Sequence, residues 1–302
     1  MNTIAVIVTH NRLALLREAV EAVRRQSSPV QGIVVINNGS TDGTREWLDA
    51  QPGLFCIHQA NLGGSHGFAE GIKQAYRQQA DWIWVMDDDT IPGTDALRDL
   101  LSAAGNQTIK EEIGFLCSRV EWTDGSPHYM NIPHIGIFNR QGKPFNQYDN
   151  LGALHIGSCS FVSVLVSAKA VKQCGLPYRE FFIWGDDMEY TQRIIRAGMI
   201  GLYIPASVVL HKTATNYSAN IFNDDDKSLW KYSYGIRNML FVVRQQKGMI
   251  SYLGKLIKHF LVIPFKLYKK RKTHQWAFIR TVWKAAWSLL FSSNRKSVKA
   301  DD

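Results

Sequence analysis

The sequence predicts an α/β protein: a mostly parallel sheet flanked by helices, followed by a basic helical C-terminal extension. Short apolar runs of β-formers alternate with helical stretches through the first half of the chain, the pattern of right-handed strand–helix–strand crossovers. Polar segments rich in Asn, Gly and Asp follow those runs, at the strand ends where parallel sheets bind ligands. Charge is unevenly placed. The net charge is +9, yet the 14 Lys or Arg and 2 Asp from Arg244 onward give that stretch +12 and leave −3 for the first 243 residues.

The elements follow in order. Ile4 to Val8 is a short apolar strand, and Leu13, Leu16, Val20 and Val23 recur at helical spacing after the Thr9–Arg12 loop. Gly32 to Ile36 is a second strand, closed by Asn37-Asn38-Gly39-Ser40-Thr41-Asp42-Gly43-Thr44. Leu54 to Ile57 reads as a third strand, Gly67 to Gln78 as a helix and Trp82 to Met86 as a further buried strand. Trp122 to Leu154, with its Gly, Pro and Asn, reads as irregular loops. Ser158 to Val166 and Val208 to His211 read as later strands.

With 302 residues and 45% hydrophobic content, the chain can build one large domain with an appendage. The division is expected near residue 220. The start, Met-Asn-Thr-Ile-Ala-Val, has no basic leader or cleavage site, so no signal peptide is expected. Cys56, Cys117, Cys159 and Cys174 are scattered without metal-type spacing, as in a reducing cytoplasm.

Asp87, Asp88 and Asp89 stand together directly after the buried run ending at Met86. Adjacent carboxylates repel one another and resist desolvation, and a divalent cation relieves both costs. Hard oxygen ligands suit Mg²⁺ or Mn²⁺. The competing reading is a helix cap near Pro92. The Asn61-Leu62-Gly63-Gly64-Ser65-His66-Gly67-Phe68 run reads either as a loop approaching a phosphate or as a flexible turn into a helix. Glu180 to Tyr190 joins an aromatic cluster to the pair Asp186-Asp187. Aromatic faces stack on sugars, and paired carboxylates serve hydroxyl binding and proton removal. Glu189 and Arg193 are spaced to pair along one helix.

The ordered set Val8 to Arg12, Val35 to Thr44, Asn61 to Gly64 and Asp87 to Asp89 resembles the family 2 glycosyltransferases of the GT-A fold, over about residues 1 to 215. Within that family the pattern looks most like the galactofuranosyltransferase branch, with rhamnosyltransferases as close neighbours. The resemblance implies a catalytic domain over residues 1–220. Residues 1–105 would form its nucleotide-sugar half, 106–220 its acceptor half and 221–302 the extension.

It places Thr9, Asn11, Arg12, Asn37, Asn38, Asn61, Gly63, Gly64, Asp87 and Asp88 around the donor. Asp89 and His211 become metal ligands, Trp184 and Asp186 acceptor contacts, and Asp187 the base. Many relatives carry Asp where this chain has Asn37, which puts an amide in place of a carboxylate. The implied reaction is inverting transfer from a nucleotide diphosphate sugar, UDP-galactofuranose or alternatively dTDP-rhamnose, with Mn²⁺ or Mg²⁺. The implied acceptor is a hydroxyl of a lipid-linked cell-surface polysaccharide such as O-antigen.

The tail adds a location. Lys227 to Gln246 reads as an aromatic-rich helix. Ile250 to Phe265 is apolar but interrupted by Lys255, Lys258 and His259, too short and too charged to span a membrane. Lys269-Lys270-Arg271-Lys272 is a compact basic run. Trp276, Ile279, Trp283, Ala286, Trp287 and Leu290 mark one helical face. Trp on one face with Lys and Arg on another is an interfacial pattern. It places the enzyme on the inner face of a bacterial membrane, with a bundle that mediates oligomers as the competing reading. No recognition motif accompanies the charge, which argues against nucleic acid. Asp87 to Thr90 superficially resembles the motif of aspartate-nucleophile phosphatases, but there the nucleophile ends the first core strand, where this chain has the Thr9 loop. A non-catalytic membrane adaptor would have no need of both carboxylate clusters and His211.

Overall fold

The computed structural model describes residues 1–290 and 299–300. Their main units are Met1–Arg179 with Asp187–Tyr217, and Glu180–Asp186 with a stretch that begins at Ser218. The boundary thus falls slightly before residue 220, and the short piece Glu180–Asp186 belongs with the later stretch.

In the first unit, β1 (Thr3–Thr9), β2 (Gly32–Asn38), β3 (Leu54–Gln59) and β4 (Trp82–Asp87) lie in the order β3-β2-β1-β4 and are all parallel. The crossovers carry α1 (Leu13–Arg24), α2 (Thr44–Asp49) and α3 (Gly64–Arg77). Every residue of β1 is buried, because both faces of this sheet are covered. Alternation divides them. Val6 and Val8 join Ile36, Ile72 and Phe68 in one core, while Ala5 and Ile7 join Leu16, Val20 and Leu97 in the other.

The chain continues through β5 (Thr90–Pro92), α4 (Ala96–Ala104), β6 (Ile113–Glu121), β7 (Leu154–Ile156), β8 (Val164–Ser167), α5 (Ala168–Cys174), α6 (Asp186–Arg196) and β9 (Ile200–His211). Beyond β4 the sheet runs β8-β6-β9-β5, with β7 also on β9. Here only β6 and β9 are parallel, so the sheet is parallel in its first half and mixed in its second.

The second unit contains α7 (Leu229–Ile257), broken at Gly248 by a φ of +79°, then a wide turn Lys258–Val262, α8 (Ile263–Lys270) and α9 (Gln275–Leu290). Both α7 and α8 pack on α9. No helix among the described residues is long and apolar enough to cross a membrane.

Several expectations shift. The strand expected over Ser158 to Val166 shrinks to β8, because Ser163 takes a left-handed φ of +60° and its hydroxyl accepts from Trp84 Nε1 at 3.0 Å. α3 starts at Gly64 because Gly63, at φ +87°, turns the chain into it, leaving Asn61 to Gly63 as the loop. Residues 122–153 are irregular, as expected, with only short 3-10 turns.

In the tail, Arg271 leaves the basic run and turns inward. It donates to Ile221 O at 2.7 Å and to Asp224 O, and its guanidinium lies over the Phe278 ring. The expected α9 face also splits. Ile279 and Ala286 are buried with Phe278 and Val282, whereas Trp276, Trp283 and Trp287 are exposed. The Leu290 side chain lies outside the described residues.

α3 approaches β1 closely. A Cβ on Gly71 would lie 2.3 Å from Val6 Cγ1, and one on Gly67 2.6 Å from Val8 Cγ1. Gly71→Ala should therefore destabilise the protein by about 1–3 kcal/mol, since overpacking forces buried branched side chains to shift. Urea unfolding checks this, and an unchanged midpoint would contradict the close approach.

Candidate functional site

Strand register assembles the site. Thr9 at the end of β1 pairs with Asn37 of β2, and Val8 with Asp87 of β4. The Thr9, Asn37 and Asp87 segments therefore emerge side by side at one edge. The chain then reverses through Asp88 and Asp89 into β5, which pairs antiparallel with β9 so that Thr90 faces His211. That pairing brings His211 to the aspartates, and it overturns the helix-cap reading of the triplet.

The first two loops are tied together. Asn11, left-handed at φ +54°, accepts from Thr41 N at 2.7 Å, while its own N–H donates to Ser40 Oγ at 2.9 Å. Asp42 accepts from Leu13 N at 3.0 Å, anchoring the start of α1. The Asn37 side-chain oxygen accepts from Ser40 N at 3.0 Å, and its Nδ2 lies 3.1 Å from His58 Nδ1. Asn38 Nδ2 donates to Gly63 O at 2.9 Å, and its Oδ1 accepts from Gln59 Nε2 at 2.6 Å. Asn61 Oδ1 accepts from Gly63 N at 3.1 Å. The amides of Asn11, Asn37, Asn38 and Asn61 thus brace the loops that carry them, and Gly64 begins the helix behind them.

The three carboxylates part company. Asp88, 4% exposed, accepts from Thr9 Oγ1 at 2.7 Å and from His10 N at 3.3 Å. Arg12 Nη1 donates to Asp88 Oδ1 at 3.4 Å and to Asp89 Oδ2. Burial pushes the Asp88 carboxyl up to about 6 despite Arg12 and Thr9. Burial acts the same way on Asp89, but the hydrogen bond and charge of His211, with Arg12, outweigh it and hold that carboxyl below its ordinary value. The Arg12 guanidinium is itself raised, since the Asp89, Asp88 and Asp87 charges outweigh its burial.

His211 is fixed at both nitrogens. Nδ1 lies 2.8 Å from Asn131 Oδ1, and Asn131 Nδ2 donates to Ser160 Oγ at 2.8 Å. Nε2 then faces Asp89 Oδ1 at 3.0 Å. A ring nitrogen and a carboxylate oxygen at that distance must share something positive, a proton or a metal ion. The ligand atoms of Asp87, Asp89 and His211 all lie within 4.8 Å of one another. Two carboxylates and an imidazole suit a divalent cation of the Mn²⁺ or Mg²⁺ kind, and three protein ligands leave positions for phosphate oxygens. Asp87, expected beside the donor sugar, thus also offers a ligand atom beside Asp89 and His211, while Asp88 turns to Thr9 and Arg12. The turn explains it: β4 ends at Asp87, and Asp88 and Asp89 lie in the reversal that leads into β5.

Asp186 and Asp187 open α6. Asp186 is 6% exposed, and Asp187 Oδ1 accepts from Met188 N at 2.6 Å. Glu189 and Arg193 form the expected pair, with Nη2 to Oε2 at 2.9 Å. Trp184 precedes α6 in a left-handed conformation, φ +63°.

Three residues were missed. His10 Nδ1 lies 2.8 Å from Asn38 O, and its Nε2 lies 3.3 Å from Asn61 Nδ2, joining three loops. Its place beside Thr9 was the available signal. His128 packs on His211 with ring centroids 4.5 Å apart, and burial followed by the His211 charge lowers it to about 4. Asn131 orients His211. Both come from the irregular 122–153 segment, whose sequence has no periodicity to announce them.

The family model for glycosyl transferase family 2 matches residues 4–175. The galactofuranosyltransferase GlfT1 of Mycolicibacterium smegmatis is 32% identical over 221 residues, covering 70% of this chain and 71% of that protein. GlfT1 of Mycobacterium tuberculosis is 30% identical over 200 residues, 65% of each chain. Among solved structures, GalNAc-T7 with UDP, GalNAc and Mn²⁺ aligns at TM-score 0.59 and 13% identity, over 93% of this chain and 54% of that one. The Pyrobaculum calidifontis mannosyltransferase PcManGT with GDP-Man and Mn²⁺ aligns at TM-score 0.52 and 15% identity, over 97% and 76%. The chain belongs to glycosyl transferase family 2. It has the GT-A fold and is a hexosyltransferase by class.

If Asp89 and His211 hold a cation, Asp89→Asn and His211→Ala should abolish stabilisation by Mn²⁺ plus UDP in thermal unfolding. Asn131→Ala should weaken Mn²⁺ about 10–100-fold, the usual cost of losing a ligand's hydrogen-bond partner. Unchanged Mn²⁺ titrations in all three would contradict the site.

Proposed function

We propose that this enzyme transfers galactofuranose, with inversion, from UDP-galactofuranose to a hydroxyl of a lipid-linked cell-surface polysaccharide, with Mn²⁺ as the preferred cation over Mg²⁺. The observation that carries the reading is the Asp87–Asp89–His211 group at the strand ends of a chain 32% identical to a galactofuranosyltransferase. The Mn²⁺ in the GalNAc-T7 and PcManGT structures supports the cation.

Asp87, Asp89 and His211 would hold the cation, which when bound neutralises charge on the departing diphosphate. Thr9, Asn11, Arg12, Asn37, Asn38, Asn61, Gly63, Gly64 and Asp88 would hold the nucleotide and the donor sugar, with the Arg12 guanidinium available to phosphate oxygens. Trp184 and Asp186 would position the acceptor. Asp187 takes the acceptor hydroxyl proton while that oxygen bonds to the anomeric carbon. The bond from that carbon to the diphosphate oxygen breaks on the opposite face, and UDP leaves with the electron pair.

Asp187→Asn should lower kcat by about 100-fold or more, the share a positioned base contributes, with UDP–Mn²⁺ stabilisation unchanged. Full transfer activity in that variant would remove Asp187 from the role. A screen of UDP- and dTDP-sugars by thermal stabilisation tests the donor, since a ligand of the folded state raises its apparent stability. Selective stabilisation by dTDP-rhamnose would replace the galactofuranose reading.

The helical unit supports a peripheral site on the inner face of a bacterial membrane. From Lys227 to Ala300 the sequence has no Asp or Glu. Leu253, Ile257, Leu261, Phe265, Tyr268 and Trp276 are all at least half exposed, among exposed lysines. Apolar and cationic groups together suit the interface of anionic lipid. At about 1 kcal/mol per charge, replacing Lys269, Lys270 and Lys272 by Gln should weaken binding to phosphatidylglycerol vesicles roughly a hundredfold at low salt. Equal flotation of wild type and variant would contradict this surface.

A further inference from the structure

The loop that leads into Asp186 and Asp187 has an unusual backbone. Phe182 and Trp184 are left-handed, at φ +65° and +63°, and Gly185 follows at +91°. Side-chain-bearing residues keep that conformation only when their surroundings impose it. Here the surroundings are one face of α7. Asn238, 1% exposed, places Nδ2 2.9 Å from Phe181 O, 3.1 Å from Ile183 O and 2.9 Å from Trp184 O. Its two amide hydrogens are shared among these three carbonyls. Its Oδ1 accepts from Arg237 Nε at 3.1 Å and Nη2 at 2.9 Å, which fixes the amide's orientation. Arg237 Nη2 also donates to Glu180 O at 2.8 Å.

Packing follows the same face. Phe182 stacks on Tyr234 with centroids 4.8 Å apart, and Trp184 meets Tyr232 edge-on at 5.2 Å. Gly235 makes room for the indole, since a Cβ there would lie 2.8 Å from Trp184 Cε3.

We infer that Asn238 is a positioning residue for acceptor transfer: it locks the left-handed loop that presents Trp184 and delivers the chain into Asp186 and Asp187. The helical extension thus carries the residue that fixes this loop. This rests on the roles proposed above for Trp184 and Asp187.

The test uses the full chain carrying Asn238→Leu, Asn238→Asp or Gly235→Ala. Neither Asn238 variant keeps the amide donors, whereas Gly235→Ala keeps every hydrogen bond and displaces only Trp184. Three readings are taken: transfer from UDP-galactofuranose to an octyl galactofuranoside, thermal stabilisation by UDP with Mn²⁺, and amide hydrogen exchange over residues 180–187. We expect UDP–Mn²⁺ stabilisation to stay as in wild type. Exchange in the loop should accelerate in both Asn238 variants. Transfer should fall by about 100-fold in those variants, the effect of a misplaced reacting group, and acceptor KM should rise in Gly235→Ala.

Transfer within twofold of wild type would overturn the inference, as would a parallel loss of transfer and UDP–Mn²⁺ stabilisation, which marks general misfolding. Should the Asn238 variants not fold, the acceptor KM of Gly235→Ala decides. If Asp187→Asn retains transfer while these variants lose it, the base assignment fails and the positioning role stands.

Discussion

Buried carboxylates need positive charge, and the arrangement around β4 follows from that need. Asp88 and Asp89 are almost fully enclosed. Ionised and unpaired, each would cost several kcal/mol. The chain answers from three directions: Arg12 from the first loop, Thr9 and the His10 N–H from the end of β1, and His211 from β9. Burial still leaves the Asp88 carboxyl raised to about 6 despite Arg12 and Thr9. A divalent cation held by Asp87, Asp89 and His211 would add positive charge beside these groups.

The same need organises the loops. Because His10 N–H is held by Asp88, its ring is set against Asn38 O and near Asn61. Asn38 in turn holds Gly63 O, where the chain turns into α3. Glycine at positions 67 and 71 lets that helix lie against Val8 and Val6. A charge problem at one strand end is thereby connected to how closely a helix packs on the sheet. A donor's diphosphate would meet a preformed rim rather than a set of independent loops.

Much of this was legible in the sequence. The apolar runs of β1, β2 and β4 announce a parallel sheet because strands covered on both faces need no polar alternation. The Asp triplet suggests a cation because adjacent carboxylates repel one another and resist desolvation. The division of labour among the three was not legible, since it depends on the turn into β5 and the pairing of Thr90 with His211. His128 and Asn131 were hidden in an irregular segment that only tertiary structure brings to His211. Asn238 carries no signal of its own within the aromatic-rich helix, and its contacts become visible only with the left-handed backbone they hold. Arg271 was read as surface charge, yet it serves backbone carbonyls inside the helical unit.

The central claim is that Asp87, Asp89 and His211 form a divalent-cation site serving a nucleotide diphosphate. Anomalous scattering from crystals grown with Mn²⁺ and UDP tests it most directly. The account predicts one strong manganese peak coordinated by His211 Nε2, oxygens of Asp87 and Asp89 and UDP phosphate oxygens, with Asp88 still on Thr9. A peak on other residues, or UDP bound in the cleft with no manganese beside Asp89, would contradict it.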